Sequence, residues 1–116
     1  MEKKEFEKVK KFLLELSDEI MTAKQPEYTN KNLDVLSNFK TSAALVGIRP
    51  AEIWAAHFIK HVQSVLSHAH NPGMEKAEPI ETRYADLINY LFLGYSLIVE
   101  HECEYFNPKY IISGTE

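Results

Sequence analysis

The sequence predicts an all-α fold, a single domain arranged as a four-helix bundle. Two observations predict it. Apolar residues recur at spacings of three and four along most of the 116 residues, the period of a half-buried helix. Four glycines and five prolines are too few for the turns of a many-stranded sheet. The hydrophobic fraction of 45% is ample for one packed core. The chain divides into an N-terminal amphipathic helix (1–23), a helical core (33–106) and a tail (107–116).

The first helix is expected over residues 2–23. Phe6, Val9, Leu13, Leu16 and Ile20 form a heptad seam, which Phe12 and Met21 broaden. Lysines and glutamates fill the other face. Such a helix either lies on its own domain or pairs across a dimer. Residues 24–32 are polar, carry Pro26 and read as a loop. The second helix is expected over 33–46, with Leu33, Leu36, Phe39, Ala43 and Val46 inward and Gly47 as its stop.

Pro50 opens the third helix, expected over 51–68 with Ile53, Trp54, Phe58, Val62 and Val65 on its apolar side. His70, Asn71, Pro72 and Gly73 end it. The fourth helix is expected over 78–104. Pro79 suits its first turn, where no N–H is needed, and Glu78 and Glu81 favour that end of the dipole. Arg83, Asp86 and Asn89 then recur every three residues within an apolar run. Buried charges need partners, so this stripe must pair with itself, another helix or a ligand. Tyr110, Ile111 and Ile112 in the tail either dock on the body or form a short strand.

The formal net charge of −4 argues against binding a nucleic-acid polymer. No stretch of 18 uncharged apolar residues offers a membrane span, and the charged start is unlike a signal peptide. The single cysteine, Cys103, has no intrachain disulfide partner, which suits a cytoplasmic location. Flanking Glu102 and Glu104 disfavour its thiolate, excluding a cysteine nucleophile.

Several side-chain groups have chemical potential. His57, His61 and His68 share one helical face, as metal ligands would, although a polar face containing several histidines, with His61 turned inward, is the plainer reading. Lys40, Lys60 and His61 would form a phosphate-binding cluster if the second and third helices make a hairpin. The plain alternative is that both lysines are solvated. Glu78 with Glu81, and Asp86 with Asn89, form two spaced polar steps of the kind that hold Mg²⁺. Glu81 and Asp86 stand about 140° apart around one helix, which is poor for a shared ion.

The runs Leu36-Ser37-Asn38-Phe39-Lys40, Lys60-His61 and Arg83-Tyr84-Ala85-Asp86-Leu87-Ile88-Asn89-Tyr90 resemble small phage and bacterial proteins related to the MazG-like all-α nucleotide pyrophosphohydrolases, including nucleotide-modification-associated members. The resemblance spans roughly residues 33–100. It implies an oligomeric helical bundle with a nucleotide pocket between helices. Catalytic members hold Mg²⁺ on acidic steps of two helices. Here Lys60 and His61 stand where an acidic pair is expected, which points to binding without turnover and no required cofactor.

On that resemblance, Lys40, Lys60 and His61 would meet phosphate, while Asn38 and Asn89 would bond a base or ribose. Arg83 and Asp86 would pair and orient the site beside Tyr90. The expected partner is a nucleotide-type small molecule, such as a host-defence messenger sequestered by a phage protein. Two alternatives stand beside this reading. One is a Mg²⁺-dependent nucleoside-triphosphate pyrophosphohydrolase using Glu78, Glu81 and Asp86, and the other is a helical protein-interaction module.

Overall fold

A computed structural model of the chain describes residues 1–29, 34–74 and 78–101, with side chains in the first stretch described through residue 24. Four helices make up the fold: α1 (Lys3–Thr29), α2 (Ser37–Val46), α3 (Pro50–His70) and α4 (Ile80–His101). No strand occurs among the described residues. Cys103, the expected helix end at residue 104 and the tail from residue 107 lie outside them.

α1 is longer than its sequence suggests. The segment expected to be a loop from residue 24 stays helical through Pro26 to Thr29. Proline removes one backbone hydrogen bond inside a helix. The turn before it is already held, because Met21 packs on the core and Lys24 pairs with Asp86. The helix therefore reaches Pro26 fully formed.

α2 starts later than expected, at Ser37 rather than 33. Asp34 builds a local turn first. Its Oδ1 accepts from the Leu36 N–H at 2.9 Å, and its carbonyl accepts from the Ser37 N–H at 3.1 Å. Aspartate competes with helix in this way by bonding backbone two residues on. The expected stop is present: Gly47 adopts φ 74° and donates to the Ala43 carbonyl at 2.9 Å. A left-handed terminal residue costs glycine no Cβ clash.

Pro50 opens α3, and the Glu52 carboxylate accepts from the Arg49 N–H at 3.0 Å just ahead of it. Pro79 precedes α4, where its carbonyl accepts from the Thr82 hydroxyl at 2.7 Å.

α4 organises the rest. It packs against α1 on one side and α3 on the other, and no contact between those two occurs among the described residues. α2 covers one face of this three-helix layer, meeting α3 and α1. Leu36 and Phe39 from that cover close over Tyr90, Leu93 and Leu97 of α4, with Met21, Ile53, Trp54 and Phe58 packed around them. Gly94 lets α3 approach closely: the Trp54 indole lies on it, stacks on Phe58 at 4.8 Å and donates to the Tyr90 carbonyl at 2.6 Å.

Candidate functional site

The polar stripe of α4 turns inward. Asp86 and Asn89 are both only 6% exposed. Asn89 Nδ2 donates to the Ser17 carbonyl at 2.9 Å and so ties α4 to α1. The expected pairing of Arg83 with Asp86 is replaced by two others. Lys24 Nζ lies 3.5 Å from Asp86 Oδ1, and Arg83 Nε lies 3.8 Å from Glu78 Oε2. Arg83 instead reaches back toward the start of its own helix.

His61 enters this group from α3. Its ring centroid is 4.4 Å from that of Tyr90. Burial pushes the imidazole pKa below its ordinary value. The neighbouring Lys24, Arg83 and His57 charges act in the same direction, and Asp86 opposes them without reversing the shift. His61 is therefore neutral near pH 7. His61 Nδ1 and Arg83 Nε are buried and accept or donate no hydrogen bond among the described residues. Such orphan atoms are uncommon in folded proteins.

Two small clefts flank the group. One, about 230 Å³, is lined by Ile20, Lys24, Glu78, Thr82 and Asp86 together with Pro79. The other, about 240 Å³, lies across Tyr90 and includes Asn38, Ser42 and His57. Both are below the roughly 300–1,000 Å³ usual for ligand pockets.

The structure thus places His61 against Tyr90 and near the Arg83 and Asp86 charges, while Asn89 turns to Ser17 of α1 and Asn38 lines the cleft that includes Tyr90. It does not bring the two lysines there. Lys40 Nζ bonds the carboxylates of Asp34 and of Glu100 at 2.6 Å. Glu100 is fourteen residues beyond Asp86 on α4, about 21 Å along the axis. These carboxylates raise the Lys40 pKa, and Lys40 in turn lowers that of Asp34. A lysine satisfied by two acids has little left for phosphate. Lys60 is exposed, as are Glu78 and Glu81. No three His, Cys, Asp or Glu among the described residues group to hold a metal, the trio His57, His61 and His68 included.

Sequence reasoning missed Lys24 and Ser17. The sequence places Lys24 in a loop, and the Ser17 contact is made by a backbone carbonyl, which no residue type announces.

A second feature occupies the side of the layer away from α2. Leu91 is 53% exposed and Phe92 57%, both on the central helix. Tyr84 and Tyr95 continue the outward side of α4. Ile59 and Leu66 stand out from α3, and Val9 and Phe12 from α1. α3 has no buried residue in 21. Between α3 and α4 this side holds a groove of about 360 Å³ lined by Ala51, Trp54, Leu91, Gly94, Tyr95 and Ile98.

No helix of the described residues is long and apolar enough to cross a membrane. Compared with known proteins, the chain matches no family model, no curated protein and no solved structure.

Proposed function

We propose that this chain is a helical protein-interaction module that works through the uncovered apolar side of its α1–α4–α3 layer. One observation carries the reading: large apolar side chains stand exposed on three adjacent helices while polar Asp86 and Asn89 are buried beneath them. Scattered apolar residues on a surface are ordinary, whereas a contiguous patch marks a contact site. Binding of a hydrophobic reporter dye or self-association, each compared between wild type and Leu91→Glu with Tyr95→Glu, tests it. If neither property responds to the substitutions, that side has no binding role.

A second reading is binding of a nucleotide-type small molecule without turnover, in keeping with the resemblance to MazG-like proteins and with sequestration of a messenger by a phage protein. The orphan atoms His61 Nδ1 and Arg83 Nε favour it. Each flanking cleft is too small to enclose a nucleotide, so this reading requires another subunit to complete the pocket. Mass spectrometry of small molecules released from the purified protein addresses it directly. Recovery of intact nucleotide, lost in Arg83→Gln, supports it, and an empty protein whose melting is unmoved by added nucleotides rejects it. The Mg²⁺-dependent pyrophosphohydrolase variant of this reading predicts pyrophosphate release that Asp86→Ala abolishes. It gains least from the geometry, because Asp86 is held by Lys24 while Glu78 and Glu81 face solvent.

A further inference from the structure

We infer that the first part of α1, residues 3–13, docks on an anionic phospholipid surface. The inference rests on reading the outer side, which includes Val9 and Phe12, as an interaction surface, and it names what this end of the layer meets. Its first support is exposure. Every residue through Phe12 is exposed, and the first buried one is Ser17. Phe6, Val9 and Phe12 are 48%, 42% and 51% exposed, so three large apolar side chains within two turns stand in water.

Charge is the second support, and it selects the sign of the partner. Residues 3–12 hold five lysines against two glutamates, whereas the rest of the chain holds eight basic and fifteen acidic residues. The cationic excess is thus gathered on the same two or three turns as the exposed rings. A basic amphipathic segment on an otherwise acidic chain points to a negatively charged surface.

The shape of the apolar side separates a lipid leaflet from a partner helix. Successive helical residues turn by about 100°. Phe6, Val9, Phe12 and Leu13 therefore fall within an arc of about 120°. A partner helix would use the narrower seam of Phe6, Val9 and Leu13 and would find charge beside it. Phe12 stands beside that seam instead and widens it, as in helices that lie flat at a membrane interface. Lys3 and Lys10 border the arc on one edge and Lys8 on the other, and no lysine falls within it. Lys10 Nζ lies 5.6 Å from the Phe6 ring centroid. Its stem therefore runs along the apolar side while its ammonium stays at the border, the posture that meets lipid phosphate as the ring enters the acyl boundary. Its exposed pairing with Glu7 at 3.6 Å is weak and yields to such a contact. Contact is with one leaflet, since no helix of the described residues is long and apolar enough to cross a membrane. Glu5 is the one charged residue inside the arc, and it supplies a variant expected to gain affinity.

The test uses the full chain in vesicle flotation. Vesicles of phosphatidylcholine with roughly 30% phosphatidylserine should carry the protein, and pure phosphatidylcholine should not. Binding should fall in about 0.5 M salt, where surface charge is screened. Phe6→Ser with Phe12→Ser should weaken it by about tenfold or more, and Lys8→Glu with Lys10→Glu should abolish it. Glu5→Gln should strengthen it by about fivefold, a gain that impaired folding cannot mimic. Failure to bind the anionic vesicles, equal binding to both kinds, or indifference to all three variants overturns the inference. Pairing with an acidic helical peptide in place of vesicles assigns this side to a protein and also overturns it. The interaction reading is judged separately by Leu91→Glu with Tyr95→Glu: if that pair alters dye binding or self-association while vesicles are ignored, only the lipid inference falls, and if neither responds, both fall.

Discussion

Gly94→Ala probes a close contact between α3 and α4. A Cβ built on Gly94 would lie 2.4 Å from Trp54 Cζ2 and 2.5 Å from Trp54 Cε2. Those atoms belong to a rigid ring held at one face and at its N–H edge. Phe58 stacks on it at 4.8 Å, and its N–H is bonded to the Tyr90 carbonyl at 2.6 Å. The ring cannot turn aside without giving up one of these, so α3 and α4 must separate. Overpacking of this kind costs about 1–3 kcal/mol, and loss of the indole bond adds about 1 kcal/mol. Alanine recovers about 1 kcal/mol of helix propensity over glycine. The net expectation is a loss of about 1–3 kcal/mol, which lowers Tm by roughly 5–10 °C. Urea titration followed by the fluorescence of Trp54, the sole tryptophan, measures it at one fixed protein concentration. In a Trp54→Leu background the same glycine substitution should become neutral or mildly stabilising. Equal effects in the two backgrounds would refute the contact, since the double-mutant cycle would then show no coupling.

Three further outcomes are expected. Asn89→Asp should destabilise more than Asn89→Leu, because a buried carboxylate would face the Ser17 carbonyl that now receives an N–H; Leu should cost about 1 kcal/mol and Asp roughly 3 or more, read from urea midpoints. Stability should fall on acidification, beginning near pH 6.5: the unfolded His61 takes up a proton that the buried imidazole resists, so unfolding binds protons and its free energy rises with pH. His61→Phe should remove that share of the difference between midpoints at neutral and mildly acidic pH. Lys40→Met should cost about 1 kcal/mol, less at high salt, because it removes the ammonium shared by Asp34 and Glu100; loss of a phosphate-binding lysine would instead leave the unliganded stability unchanged and abolish a nucleotide-induced melting shift.

The helix order was legible because its punctuation is chemical. Gly47 and Pro50 set the second boundary in the sequence and in the fold. Two edges were not legible. Pro26 looks like a stop, yet contacts distant in sequence carry α1 past it. Leu33 looks like the start of a helix, yet Asp34 spends the next turn bonding its own backbone. The candidate site shows the same division. That Arg83, Asp86 and Asn89 required partners followed from their spacing. Which partners they have depends on how α1 and α3 rotate against α4, and periodicity within one helix does not encode that rotation. The resemblance grouped Lys40 with Asp86, but α2 crosses the layer near the Glu100 end of α4 and carries Lys40 there.

Part of the polarity of α4 runs against what an isolated bundle would choose. A helix on the surface of a monomer normally keeps its charged side in water and its apolar side within. On α4, Asp86 and Asn89 are buried against α1 while Leu91, Phe92 and Tyr95 face out. Exchanging those positions would relieve the burial of a carboxylate and the exposure of three large side chains together. A folded monomer gains the Asn89–Ser17 and Asp86–Lys24 contacts from this arrangement but leaves the outer apolar side chains in water. The arrangement becomes favourable once the outer side is covered, because each large apolar side chain fully removed from water contributes about 1.5–3 kcal/mol. The inner polar contacts then align α1 against α4, so that the outer side is presented as a single surface. The buried stripe and the bare face are in this sense two consequences of one rotation of α4, and whatever covers the face determines what the stripe is for.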